Sequence, residues 1–164
     1  MKIVASTKLN RATRAMQDSR TYGQTSNEVY SAAETAPVSG QPKSLLVVCS
    51  SDKGLCGGIH SGLSRYIRKL FAENPDAYDL VIIGEKSKSQ LSRTNSKNIQ
   101  LNFAGIGKDV PTFADAQAIA DQIVLLPGQY SDIKVVYNKF VNATSFEPNV
   151  IPAFSVEAIT QSRK

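Results

Sequence analysis

Apolar runs and amphipathic stretches take turns along residues 44–138, and that alternation restricts the fold more than anything else in the chain. Leu45-Leu46-Val47-Val48-Cys49, Leu80-Val81-Ile82-Ile83 and Ile133-Lys134-Val135-Val136-Tyr137 are nearly unbroken apolar segments. A strand with one wet face alternates apolar and polar residues, whereas a strand covered on both faces reads as a continuous apolar run. The spacing predicts strands over 44–49, 79–84, 99–103 and 133–138, with helices over 57–73, 85–93 and 112–126 between them. Asn74-Pro75-Asp76 and Pro127-Gly128 end the first and third of these helices. Such a βαβα order specifies a Rossmann-like three-layer α/β domain with a mostly parallel sheet. Ser145 to Phe154, carrying Pro148 and Pro152, reads as an edge strand or an extended tail.

Ahead of this body lies a different kind of segment. Residues 1–35 contain no proline, and Ala5, Leu9, Ala12 and Met16 recur at spacings of four, three and four. That is a narrow coiled-coil seam, too poor in large side chains to sustain a helix alone, so it requires a partner helix. The seam begins at Met1 with no capping residue ahead of it, as expected of a partial helix. Residues 36–43, Ala36-Pro37-Val38-Ser39-Gly40-Gln41-Pro42-Lys43, have the composition of a linker. The expected division is therefore a shaft helix over 1–35, a linker over 36–43 and an α/β domain over 44–164.

Charge follows the same division. The net charge is +5, and Lys2, Lys8, Arg11, Arg14 and Arg20 against Asp18 place most of it in the first twenty residues. A basic arm on a nearly neutral body points to an acidic partner. Nucleic acid is the obvious candidate, but no reading motif and few interleaved aromatics accompany these cations, so no nucleic-acid partner is expected. No apolar stretch is long enough to span a bilayer.

The strand-to-helix turn Ser50-Ser51-Asp52-Lys53-Gly54-Leu55-Cys56-Gly57-Gly58-Ile59-His60-Ser61 is the chief candidate for chemistry. Its glycines would permit close approach of a phosphate to a helix N-terminus. A phosphate loop, however, needs a lysine and a hydroxyl residue after its glycines, and here Lys53 precedes Gly54, Gly57 and Gly58. The spacing of those glycines also misses the dinucleotide fingerprint. Gly54, Cys56, Gly57 and Gly58 are accordingly expected to form a structural turn. Cys56 at a helix start, with His60 one turn on, leaves a second reading open: a nucleotide-binding α/β enzyme with a reactive cysteine. The simpler expectation is a turn cysteine and a surface histidine. Asp76 and Asp79 flank a turn, Asp115 and Asp121 lie on a solvated face, and Cys49 and Cys56 match no zinc spacing. No catalytic, cofactor-binding or metal-ligating residues are assigned.

Four segments together carry a resemblance. Met1-Lys2-Ile3-Val4-Ala5-Ser6-Thr7-Lys8-Leu9, Ser51-Asp52-Lys53-Gly54-Leu55-Cys56-Gly57-Gly58-Ile59-His60-Ser61, Gly105-Ile106-Gly107-Lys108-Asp109 and Ser145-Phe146-Glu147-Pro148 resemble the gamma subunit of rotary ATP synthase, in particular its mitochondrial type. The resemblance runs over essentially the whole chain. It implies a non-catalytic rotor shaft with a Rossmann-like foot, coupling a proton-driven proteolipid c-ring to the alpha and beta subunits of the catalytic head. It also implies delta and epsilon central-stalk subunits as neighbours, and a position on the matrix side of the mitochondrial inner membrane. Lys53, Arg65 and Arg68 match basic positions that face an acidic loop of the catalytic subunits, and Lys2 and Lys8 lie on the shaft near the same ring. The family's C-terminal helix has no counterpart before Lys164, so a partial chain is expected.

Overall fold

A computed structural model describes residues 1–36, 40 and 42–160. Of the expected linker, residues 37–39 and 41 lie outside the described residues, as do residues 161–164. The described chain divides into two units, one comprising Met1–Ala36 with Val156–Thr160, the other the body up to Ser155.

The first unit is dominated by helix α1, Lys2–Ala32, none of whose residues is buried. Ile3 and Leu9 are 82% and 48% exposed. Hydroxyl side chains line much of its length: Thr7, Ser19, Thr21 and Thr25 donate to the carbonyls of Ile3, Ala15, Gln17 and Thr21 four residues back. Such bonds satisfy side chains on an exposed helix without any tertiary partner.

The body opens with strand β1, Ser44–Cys49, followed by helix α2 (Ile59–Glu73), strand β2 (Tyr78–Ile83) and helix α3 (Glu85–Asn95). A short 3₁₀ turn leads into strand β3 (Ile99–Phe103), then helix α4 (Phe113–Val124), strand β4 (Ile133–Asn142) and strand β5 (Ser145–Ala153). A short helix α5, Val156–Thr160, ends the described chain. The strand order is β3-β2-β1-β4-β5, with the first four mutually parallel and β5 antiparallel to β4. The α/β class with a mostly parallel sheet and a long N-terminal helix is thus the observed architecture.

Periodicity assigns the two faces of the sheet. Leu46, Val48, Leu80, Ile82 and Val136 point to one side, where they meet Leu63, Ile67 and Phe71 of α2 and Leu91 of α3. Leu45, Val47 and Val81 point to the other, against Ile123, Leu126 and Tyr130 from α4 and the segment after it. Burying each such side chain contributes about 1.5–3 kcal/mol. Strand β3 changes faces midway: Leu80 pairs with Ile99 but Val81 with Leu101, an irregularity that inserts Gln100. Ile99 therefore joins the α2/α3 side and Leu101 the α4 side.

Several boundaries differ from expectation for physical reasons. Helix α2 starts at Ile59 rather than residue 57, because Gly57 has φ of +61°. Strand β4 continues four residues past 138, carried by its pairing with β5 around Asn142, whose side-chain oxygen accepts from the Thr144 amide and hydroxyl. The segment from Ser145 is an edge strand rather than a tail, with Pro148 opposite Asn138 and Pro152 opposite Lys134. Asp79, expected beside a turn, lies within β2 and is buried. It accepts from Lys43 Nζ at 3.1 Å and from the Tyr130 hydroxyl at 3.1 Å, tying three segments at the amino edge of the sheet. Burial and the adjacent Asp79 carboxylate push the Tyr130 phenol up to about 12.

Candidate functional site

In open α/β sheets ligands bind beyond the carboxyl ends of the strands, where strand order reverses. Here that point lies between β1 and β4, next to the Ser50–Ser61 turn. The strand ends are laced together: the Ser50 amide donates to the Ile83 carbonyl at 2.8 Å, and the Gly84 amide to the Phe103 carbonyl at 2.8 Å. Gly84 has φ of +106°, and a Cβ there would stand 2.6 Å from both Ser50 Oγ and the Ser51 nitrogen. Only glycine fits this crossing of two turns.

Asp52 holds the three βα turns to one another. One carboxylate oxygen accepts from the Glu85 amide at 2.8 Å, at the start of α3. The other accepts from the Gly105 amide at 2.6 Å, just after β3. These two bonds, the Glu85 one foremost, hold the Asp52 carboxyl below the usual carboxylate range, with Lys108 adding a smaller attraction. A phosphate at the start of α3 would take such amides as its ligands. In this chain a resident carboxylate already takes them. Across the crevice beside β1, Asn138 of β4 donates to the Ile59 carbonyl at 3.0 Å.

The turn itself is held by its own main chain. The Lys53 carbonyl, which can only accept, bonds His60 Nε2 at 2.9 Å, so that nitrogen carries the proton. His60, expected at the surface, is instead 7% exposed and lies on the inward side of α2. The Cys56 thiol donates to the Gly54 carbonyl at 3.1 Å. Leu55 adopts a left-handed φ of +55° with its side chain wholly exposed. Cys56 and His60 therefore each bond main-chain carbonyls, and the described hydrogen bonds do not join them into a nucleophile–base pair. Cys49, at the end of β1, is half-buried, and burial pushes its thiol up to about 11. Among the described residues no group of three or more His, Cys, Asp or Glu side chains could hold a metal ion. Nor, among the described residues, is any helix long and apolar enough to cross a membrane.

The expected contact residues fall in two places. Lys53 is exposed on the turn, Arg65 is exposed on α2, and Arg68 is half-buried one turn further along. Arg65, Arg68 and Lys69 are neighbours at helical spacing, away from the inward Leu63, Ile67 and Phe71. Lys2 and Lys8 stand exposed on α1, in the other unit. The ion pairs among the described residues, Lys43–Asp79, Lys88–Glu85 and Lys134–Asp132, include none of these five cations. A Cβ added at Gly54 would meet the Lys86 side chain at 3.7 Å, while Gly57 and Gly58 lead directly into α2. Sequence reasoning missed Asp52, although an aspartate at the mouth of a glycine turn, with two further βα turns beside it, is a natural acceptor for exposed amides.

A family profile described as ATP synthase matches residues 1–164. The mitochondrial ATP synthase gamma subunit of Pichia angusta is 47% identical over 164 residues, which cover 100% of this chain and 60% of that one. That of Saccharomyces cerevisiae is 44% identical over 170 residues, covering 99% and 54%. Among solved structures, a chain of the central stalk and c-ring of the Tetrahymena thermophila mitochondrial ATP synthase superposes with a TM-score of 0.78 at 30% identity, over 96% of this chain and 72% of that one. This sequence spans a little over half the length of the curated relatives it matches. On a match that runs its whole length and a fold shared with a central-stalk chain, the chain belongs to the ATP synthase gamma-subunit family.

Proposed function

We propose that the chain acts as the central-stalk rotor subunit of a proton-translocating ATP synthase, coupling rotation of the c-ring to conformational change in the catalytic subunits. It works without catalytic groups of its own, on the matrix side of the mitochondrial inner membrane. The observation that carries this reading is α1, a helix of 31 residues with none buried. Such a helix is about 46 Å long at 1.5 Å per residue. A structure that long, with its seam uncovered, belongs inside a larger assembly. The same roles divide the chain into shaft helix 1–35, linker 36–43 and foot domain 44–164, with the short α5, Val156–Thr160, grouping with α1 rather than with the sheet.

The alpha and beta subunits, the delta and epsilon stalk subunits and the c-ring are the partners. Lys53, Arg65 and Arg68 meet an acidic surface of the catalytic subunits, with Lys2 and Lys8 on the shaft serving the same ring. The exposure of Lys2, Lys8, Lys53 and Arg65, and the freedom of all five from the described ion pairs, support that assignment. Val110, Phe113, Val124 and Leu125, each at least 66% exposed in and around α4, give the body apolar area suited to a neighbouring subunit. The relatives' mitochondrial names and the central-stalk superposition support the location.

The test is charge reversal in the assembled complex. Lys53→Glu, Arg65→Glu and Arg68→Glu together are expected to lower torque and ATP-driven proton pumping per ATP hydrolysed. Unchanged hydrolysis and coupling in that triple variant would remove the contact assignment.

A further inference from the structure

Lys53 is exposed, but the main chain from which it springs is fixed on both sides. Immediately before it, the Asp52 carboxylate accepts from the Glu85 amide at 2.8 Å and the Gly105 amide at 2.6 Å. The Ser51 carbonyl adds a bond from the Lys86 amide at 3.4 Å. Immediately after the Lys53 side chain, its own carbonyl accepts from His60 Nε2 at 2.9 Å. His60 is in turn buried on α2, next to residues that pack on the sheet. The anchors thus join residues 33 and 53 positions beyond Asp52 and seven positions beyond Lys53.

We propose that Asp52 and His60 are positioning residues that brace the Lys53 backbone against load, so that a push on the exposed ammonium is delivered to the sheet rather than absorbed by the turn. A side chain that transmits force is effective only where its root does not yield, and second contacts of this kind set that rigidity. The turn needs such bracing because its own conformation is permissive. Leu55 and Gly57 both have left-handed φ, and Gly54 and Gly58 add further freedom. Asp52 serves Lys53 by neighbouring it in sequence while being bonded to the two turns at Glu85 and Gly105. The inference rests on the proposed role of Lys53 as a contact with the catalytic subunits.

The test uses the full-length subunit in reconstituted ATP synthase, with Lys53→Gln, Asp52→Asn and the double variant compared for protons pumped per ATP hydrolysed. Bracing predicts that Asp52→Asn lowers coupling by the same factor as Lys53→Gln, and that the double variant is no worse than Lys53→Gln alone. Amide exchange at Glu85 and Gly105 should accelerate about 10–100-fold in Asp52→Asn, the loss expected for charge-assisted bonds. Equal coupling in Lys53→Gln and the parent would overturn the contact role of Lys53 itself. A coupling defect in Lys53→Gln, joined by no defect or an independent, multiplying defect in Asp52→Asn, would overturn the bracing instead. Should Asp52→Asn fail to assemble, His60→Leu carries the same comparison, since it removes only the anchor on the other side of Lys53.

Discussion

Adding a single methyl group at Gly84 should damage this fold about as much as truncating a large core side chain. The φ of +106° costs an L-residue about 1–2 kcal/mol. The new Cβ would also lie 2.6 Å from Ser50 Oγ, 2.6 Å from the Ser51 nitrogen and 2.8 Å from the Ser50 carbonyl carbon. Two of those atoms are main chain and cannot rotate away, so relief requires the turns to separate, an overpacking cost of about 1–3 kcal/mol. Together these give about 2–5 kcal/mol for Gly84→Ala, a large share of the roughly 5–15 kcal/mol typical of a domain. With urea slopes of about 2 kcal/mol/M the midpoint should fall by about 1–2.5 M. Far-UV circular dichroism of the full chain in urea measures it. Gly62→Ala is the control, because a Cβ there meets nothing within 4 Å on helix α2. It should gain about 0.5–1 kcal/mol. A Gly84→Ala midpoint within about 0.2 M of the parent, at unchanged slope, would refute the reasoning.

Three further outcomes follow from the charges and thiols. The Asp52 carboxyl is held below its ordinary value, so the unfolded chain binds the proton more tightly; its contribution is complete above the unfolded carboxylate value of about 4 and lost as pH falls through the folded value. Acid unfolding of Asp52→Asn should therefore show a shallower stability loss below about pH 4, and an identical acid limb would sink this. Tyr130 has its pKa raised to about 12, so the stabilisation is intact below the unfolded value of about 10 and fades as pH rises toward 12. Ultraviolet titration should show one of the tyrosines ionising late, and Tyr130→Phe should cost about 1–2 kcal/mol by urea unfolding. Cys49, pushed up to about 11, has only about a thousandth of its thiol ionised at pH 8. Its alkylation should be at least tenfold slower in the native chain than in urea, and equal rates would contradict the burial.

What the sequence made readable was whatever burial writes into a local pattern. Leu45–Cys49 and Tyr78–Ile83 are covered on both faces, so they appear as apolar runs, and β3 lies at 99–103 as expected. The outer half of the β4–β5 hairpin was not readable. Residues 141–147 are exposed, and the turn at Ala143-Thr144 lacks the glycine that usually marks a hairpin. The site was readable as a turn but not as a clamp. Asp52 acquires its role only when the strand order puts residues 85 and 105 beside residue 52, a proximity no window of sequence contains. His60 misled for a related reason. A lone histidine usually faces water, and its burial here depends on a carbonyl seven residues earlier folding back over the helix start.

The place where the chain enters the sheet carries a mechanical consequence. Lys43 leads directly into β1, the middle strand of the sheet, which is parallel to β2 on one side and to β4 on the other. A pull along that strand from its amino end must slide β1 against both neighbours, loading both ladders in shear rather than unzipping them one bond at a time. The Lys43–Asp79 pair and the Ser131 amide bond to the Lys43 carbonyl at 2.8 Å sit where that load arrives. Had the chain entered through the β5 edge, the same pull would have sheared a single ladder. An incoming tether grips this domain at its strongest seam.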